Sequence, residues 1–342
     1  MVKHYAYVTM KGGSHFDELI TKEVTKPGSY NWYKAFDSYP NWTGEVRERG
    51  TLAKDDFENF DIIHLTLAGI NVQLIKDIRA ALREGSSTLL ILSTDYTFEN
   101  FENGFNHPLE MHEGAECADF IFAQEPAQQG LWNYIVKEYM KKNWNVPLVP
   151  HPVNTEGIKA MYVAPEQRLD MIAYLYHKYD QQTVIPSMLL DGLGIPSLML
   201  GYLDVQALKA GHGLGKTLPA GFFNFNAGWL DWKTYIYVLR HCTLALDYYM
   251  FSSYSRFPQE TACLGIPMVC STHSYSGSVL YPETSHSPYD LPTLRKSLER
   301  LVKDEELWKK TADYAYGKVE TMNWHNSVEN LLKAMEERGF KA

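Results

Sequence analysis

The sequence predicts an α/β protein made of two doubly wound, Rossmann-like domains. Three observations carry this. Short apolar runs alternate with stretches of helical periodicity along the whole chain. Some runs, such as 88–93 (TLLILS) and 118–123 (ADFIFA), are largely apolar without alternation, the mark of strands buried on both faces of a parallel sheet. The scheme then starts afresh after a proline-rich segment at 147–152, in a chain of 342 residues, which suits two domains of roughly 150 residues each.

The first strand is expected at 4–10, ending in Lys11-Gly12-Gly13. A second follows at 61–68. Leu74, Ile75, Ile78, Ala81 and Leu82 recur at helical spacing over 71–83, and Gly85 is expected to stop that helix. Strands at 88–93 and 118–123, a helix at 128–140 and an extended segment at 147–149 complete this half. The second half repeats the alternation: strands at 171–176, 197–200, 222–225, 244–249 and 266–270, helices at 183–193, 231–240, 259–264, 291–304 and 305–318. A closing amphipathic helix carries Trp324, Val328, Leu331, Leu332 and Met335 on one face. The expected domains are 1–152 and 153–318, with 319–342 crossing back to the first. Two such domains facing across a cleft would bind ligand at the carboxyl ends of their strands.

Composition narrows the function. Lys and Arg number 32 against 41 Asp and Glu, a net charge of −9, which argues against a protein that coats nucleic acid. An apolar fraction of 45% excludes a disordered chain. No run approaches the roughly 18 apolar residues of a membrane span, and the first residues lack a signal-peptide pattern. Four scattered cysteines make neither a disulfide framework nor a zinc site, so a cytoplasmic setting with reduced thiols is expected.

The most informative stretch is 258–271 (PQETACLGIPMVCS). Small side chains after Glu260 let a helix pack close to the sheet. Gly265 supplies a left-handed cap, and Pro267 prevents continuation. A Glu at a helix start can accept two ribose hydroxyls, and the helix dipole there favours a diphosphate. A simple helix-capping role is the alternative for Glu260. The run from Glu260 to Val269 resembles the donor-site signature of GT-B glycosyltransferases, in particular the retaining, glycogen synthase-like group. The order of elements from 224 to 249, the junction at 149–154 and the closing helix beginning at Trp324-His325 are similar to that family as well.

The resemblance implies a nucleotide-sugar donor, UDP- or GDP-linked, acting as substrate with no cofactor and no metal. It implies donor contacts at Glu260, Thr261 and His273, and at Gly12 and Gly13 in the loop after the first strand. One departure is plain. The group's Glu-x7-Glu pair would place its first Glu at 252, where this chain has Ser252; Ser253 and Tyr254 beside it are the candidate replacements. The family's phosphate-neutralising cations follow the first strand of the second domain. Here Lys178 is the leading candidate and His177 the second, with Lys216 further on.

Asp95, at the end of the 88–93 run, is placed to act as a general base or to orient an acceptor. Segment 107–113 (HPLEMHE) reads as an acceptor-side loop without metal. The expected activity is transfer of a sugar to a hydroxyl, weakly favoured as retaining. The acceptor would be a saccharide, a lipid, a small molecule or a hydroxylated DNA base; 137–144 and 30–34 are the stretches suited to nucleic acid. An epimerase of the same fold and a non-catalytic sugar-binding module are the alternatives.

Overall fold

The computed structural model describes residues 2–9, 31–48, 54–68, 71–94, 108–176, 180–201, 225–226, 230 and 232–340. Two compact units emerge: residues 1–154 with 321–342, and residues 155–320.

In the first unit, β1 (Lys3–Thr9), β2 (Trp42–Glu48), β3 (Ile62–Thr66), β4 (Leu89–Thr94) and β5 (Phe120–Ala123) form a parallel sheet in the order 2-1-3-4-5. The middle strands are buried along nearly their full length, as their predominantly apolar runs require, and His64 in β3 is buried with them. One face packs on α2 (Val72–Ala81) and α4 (Pro126–Glu138) through Leu74, Ile75, Ile78, Trp132, Ile135 and Val136. The other packs on α1 (Asn31–Asp37) and on the terminal helix Trp324–Glu336 through Trp32, Phe36, Val328, Leu331 and Met335.

Several elements depart from the sequence expectation. Strand β2 had no sequence signal. It is an edge strand, and Thr43, Glu45 and Arg47 interrupt its apolar residues, the usual guard on an exposed edge. Helix α2 ends at Ala81, before Gly85, because Leu82 turns extended and drops into the core. Helix α4 begins two residues early: Glu125 caps it by accepting from Ala127 N–H at 3.0 Å and Gln128 N–H at 2.8 Å, with Pro126 in the first turn. The expected acceptor loop at 107–113 is, from Pro108, helix α3 (Pro108–Glu116), again opened by proline.

The second unit holds a six-stranded parallel sheet: β6 (Leu169–Tyr176), β7 (Ser197–Gly201), β8 (Phe225–Asn226), β9 (Cys242–Asp247), β10 (Met268–Ser271) and β11 (Ser285–His286). Counted within the unit, the spatial order is 3-2-1-4-5-6, that of the Rossmann fold, and the direction of winding reverses between β6 and β9. Around the sheet lie α5 (Thr155–Lys159), α6 (Asp180–Leu190), α7 (Trp232–Leu239), α8 (Phe257–Cys263), α9 (Tyr275–Leu280), α10 (Leu291–Lys303) and α11 (Glu305–Lys318). Asp290 and Asp304 cap α10 and α11 through their side chains. The terminal helix, α12 (Trp324–Glu336), is capped by Asn323 in the same way.

Arg168, just before β6, closes the turn between α8 and β10. Its guanidinium donates to the carbonyls of Gly265 at 2.9 Å and Leu264 at 2.7 Å, and to Val163. Gly265 has φ +62°, the left-handed cap the sequence calls for. Among the described residues no helix is long and apolar enough to cross a membrane.

Two stability tests follow. A Cβ on Gly44 would overlap the carbonyl oxygen of Tyr33 and lie 2.8 Å from Asp37 N, both backbone atoms. Gly44→Ala is expected to cost about 1–3 kcal/mol in denaturant unfolding. Arg168→Ala strands three carbonyls and is expected to cost about 3 kcal/mol. Arg168→Lys, whose single ammonium lacks the planar fork that spans all three carbonyls, should recover only part of that loss.

Candidate functional site

In an open α/β sheet, ligands bind beyond the carboxyl ends of the strands where the winding reverses. In the second unit that point lies at the ends of β6 and β9. Asp247 closes β9, and its neighbours come from the loop 248–256, from α8, and from 272–274 after β10.

The two loops are zipped together. Ser253 N–H donates to His273 O at 2.9 Å, Tyr275 N–H returns to Ser253 O at 2.9 Å, and Ser276 N–H donates to Tyr254 O at 3.0 Å. His273 donates from Nδ1 to Met250 O at 2.6 Å, which leaves Nε2 as the acceptor of the neutral ring. Ser274 donates to Asp247 Oδ2 at 2.6 Å, while Oδ1 has no hydrogen-bond partner among the described residues. Asp247 is wholly buried. Burial pushes its carboxyl up to about 6, against the Ser274 bond, and the nearby Glu260 charge adds to the rise.

Glu260 stands in the middle of α8, its fourth residue, because the helix already begins at Phe257. Its carboxylate is 7% exposed by residue and meets two side chains of α7: Tyr235 Oη donates to Oε2 at 2.7 Å and Trp232 Nε1 to Oε1 at 3.3 Å. Burial raises its pKa, and Arg256, Tyr235 and Trp232 pull it back. Each oxygen therefore keeps a lone pair beyond its one donor among the described residues. At the start of α8, Pro258 has no N–H, and the N–H groups of Gln259 and Glu260 both donate to Arg256 O. Thr261 faces inward: it is fully buried and its hydroxyl bonds Phe257 O, Pro258 O and Tyr281 Oη, each at 3.0 Å.

Ser253 and His273 are thus joined directly, Ser252 precedes Ser253 in the same loop, and Glu260 stands on the next helix within electrostatic reach of Asp247, with Thr261 turned away. Gly12, Gly13, Asp95, His177, Lys178 and Lys216 lie outside the described residues.

Sequence reasoning missed three members. Trp232 and Tyr235 are spaced i, i+3 and so share a face of α7, a pattern visible in the sequence without its partner. Arg256 is half-buried at the N-cap of α8, where a positive charge opposes the helix dipole. A residue that works against its own helix points to another use. Ser255 beside it has φ +43°, a left-handed conformation that costs of order 1 kcal/mol or more in a non-glycine residue.

The first unit has its own polar edge. Ser93 and Thr94 end β4, and Gln124 follows β5; all three are buried. Both hydroxyls and both ends of the Gln124 amide have no hydrogen-bond partner among the described residues. In the same described set, no three His, Cys, Asp or Glu side chains gather as metal ligands would.

No family model matches the chain, and no curated protein sequence is significantly similar to it. Three solved structures are similar over 97% or more of their own length. The N-terminal domain of Candida albicans trehalose-6-phosphate phosphatase has a TM-score of 0.67 at 10% identity, covering 98% of this chain and 97% of that one. A UDP-forming α,α-trehalose-phosphate synthase from Burkholderia xenovorans has a TM-score of 0.65 at 11% identity and full coverage of both chains. An α-glucosyltransferase bound to UDP-glucose and DNA containing an abasic site has a TM-score of 0.60 at 11% identity, covering 98% and 99%. Similarity at this level of identity establishes architecture, and with its two Rossmann-like units the chain has the GT-B fold.

Proposed function

We propose that the protein is a glycosyltransferase that moves a sugar from a nucleotide-sugar donor, held by the second unit, to a hydroxyl acceptor. The observation that carries this is the ionisable cluster around Glu260 at the switch point of a Rossmann sheet. A buried carboxylate with one spare lone pair on each oxygen matches the two adjacent hydroxyls of a ribose. Arg256 neutralises the diphosphate, together with Lys178, which follows β6 in the sequence. Ser253 and His273 meet the donor sugar in place of the absent glutamate at 252.

The UDP-forming synthase and the UDP-glucose complex among the similar structures favour UDP as the nucleotide. Retention of configuration follows the Glu260 motif. The donor is a substrate, and no resident cofactor or metal is invoked. The departing UDP is stabilised by positioned charge, often the largest catalytic contribution. On the acceptor side we assign the buried polar edge of the first unit. Ser93, Thr94 and Gln124 both donate and accept, as sugar or other alcohol hydroxyls do. Leaving such groups unpaired costs about 1–3 kcal/mol each, so a hydroxyl-bearing ligand has much to satisfy there. Four free thiols, three of them buried, fit a reducing cytoplasm.

Incubation with UDP-, GDP- and ADP-sugars, with and without sugar acceptors, is expected to release UDP, faster when acceptor is present. Absence of any nucleotide release across the panel would refute the assignment. Glu260→Gln should weaken UDP-sugar binding roughly ten- to hundredfold in calorimetry, the loss expected for hydrogen bonds to a charged acceptor. Arg256→Ala should lower kcat about a hundredfold with little net change in thermal stability, since losing its attraction to the Glu260 carboxylate is offset by removing a charge that opposes the helix dipole. An unchanged kcat would remove Arg256 from the site.

A further inference from the structure

We propose that Trp232 and Tyr235 are positioning residues that hold the Glu260 carboxylate, ionised and in one orientation, for the hydroxyls of the donor ribose. This rests on the reading of Glu260 given above and goes beyond it, because it assigns the binding geometry to a second helix.

A free glutamate side chain loses on the order of 1.5–2 kcal/mol of rotamer entropy when a ligand fixes it. Here that cost is met in advance. Tyr235 Oη at 2.7 Å from Oε2 and Trp232 Nε1 at 3.3 Å from Oε1 engage one oxygen each, so the carboxylate plane is set from both sides. Indole N–H only donates. The Tyr235 hydroxyl keeps its proton, since burial and the neighbouring Glu260 raise its pKa well above the ordinary tyrosine value. Both groups therefore favour the charged carboxylate and leave its outward lone pairs for a ligand that donates twice. The two residues lie on one face of α7, before β9, whereas Glu260 follows β9, so the strand fixes the distance between the two helices.

Among the described residues, the charged and titratable groups facing this carboxylate are Arg256, which favours its ionisation, and Tyr235, Asp247 and Cys263. Loss of the Tyr235 bond removes a group that lowers the Glu260 pKa, so the carboxylate protonates at higher pH. Affinity for a ribose then falls away at higher pH as the solution is acidified.

The test uses Tyr235→Phe, Trp232→Phe and Glu260→Gln in the full chain, with UDP and 2′,3′-dideoxy-UDP as probes in calorimetry from pH 5 to 8. Tyr235→Phe and Trp232→Phe are each expected to weaken UDP about tenfold. They should leave the dideoxy analogue within about twofold and shift the acidic fall of UDP affinity upward in pH. A purely structural role would weaken both probes alike and would overturn the proposal. UDP affinity unchanged in both phenylalanine variants, but lost in Glu260→Gln, would also overturn it while leaving the donor reading intact. Wild-type UDP affinity in Glu260→Gln would end both.

Discussion

The bond between Arg168 and the turn 264–265 is the constraint on which the second unit's geometry depends. Helix α8 has only seven residues and carries Arg256 at its positive end, so it gains little from its own dipole. Its other end is held from outside. The buried guanidinium satisfies the carbonyls of Leu264 and Gly265, placing a fixed positive charge where the helix dipole is negative. With that end anchored, the left-handed Gly265 sends the chain into β10. Glu260 is one turn back from the anchor, so its position follows from Arg168 as much as from its own neighbours.

Both sheets show the same division. Their middles are mostly apolar, with His64 of β3 a buried exception, and a group of buried polar side chains lies at the carboxyl ends: Ser93, Thr94 and Gln124 in the first unit, Asp247, Ser253, Ser255 and Glu260 in the second. Parallel strands make this possible, since every strand ends on the same edge and the crossovers return along the faces. The hydrophobic core can then be optimised for stability while one edge carries groups that are costly to bury.

The fold was legible where burial is complete. The run at 88–93 contains a strand because a strand covered on both faces is apolar nearly throughout, and the run at 61–68 follows the same rule except for His64, which is buried and bonded to Tyr5. The edge strand 42–48 was not legible, since half its surface must resist pairing and its residues look like a loop. The helix at 108–116 was hidden by Pro108, which favours the first turn of a helix as readily as a loop. At the site, the motif around Gly265 was readable because it is local. The partners of Glu260 were not, as Trp232 and Tyr235 stand 28 and 25 residues away and only tertiary packing brings them together. Arg256 was readable in principle, as a cation at a helix start, but its meaning depends on the cluster it faces.

The chain leaves the first unit after residue 154 and returns at 321. The two passages run side by side, with Val153 N–H bonded to Met322 O at 3.0 Å, and Thr155 and Lys159 both reaching Glu320. Topologically, the second unit is an insertion in the first. This sets an order of events on the ribosome. The inserted unit is continuous in sequence and can close its core as soon as residue 320 has emerged. The first unit begins earlier but finishes later, because Val328, Leu331 and Met335 cover the sheet face that includes Tyr5, Ile62 and Phe120. Until those last turns are made, an apolar sheet face stays uncovered through the synthesis of some 170 intervening residues, an interval in which a nascent chain is open to misassembly and to chaperone binding.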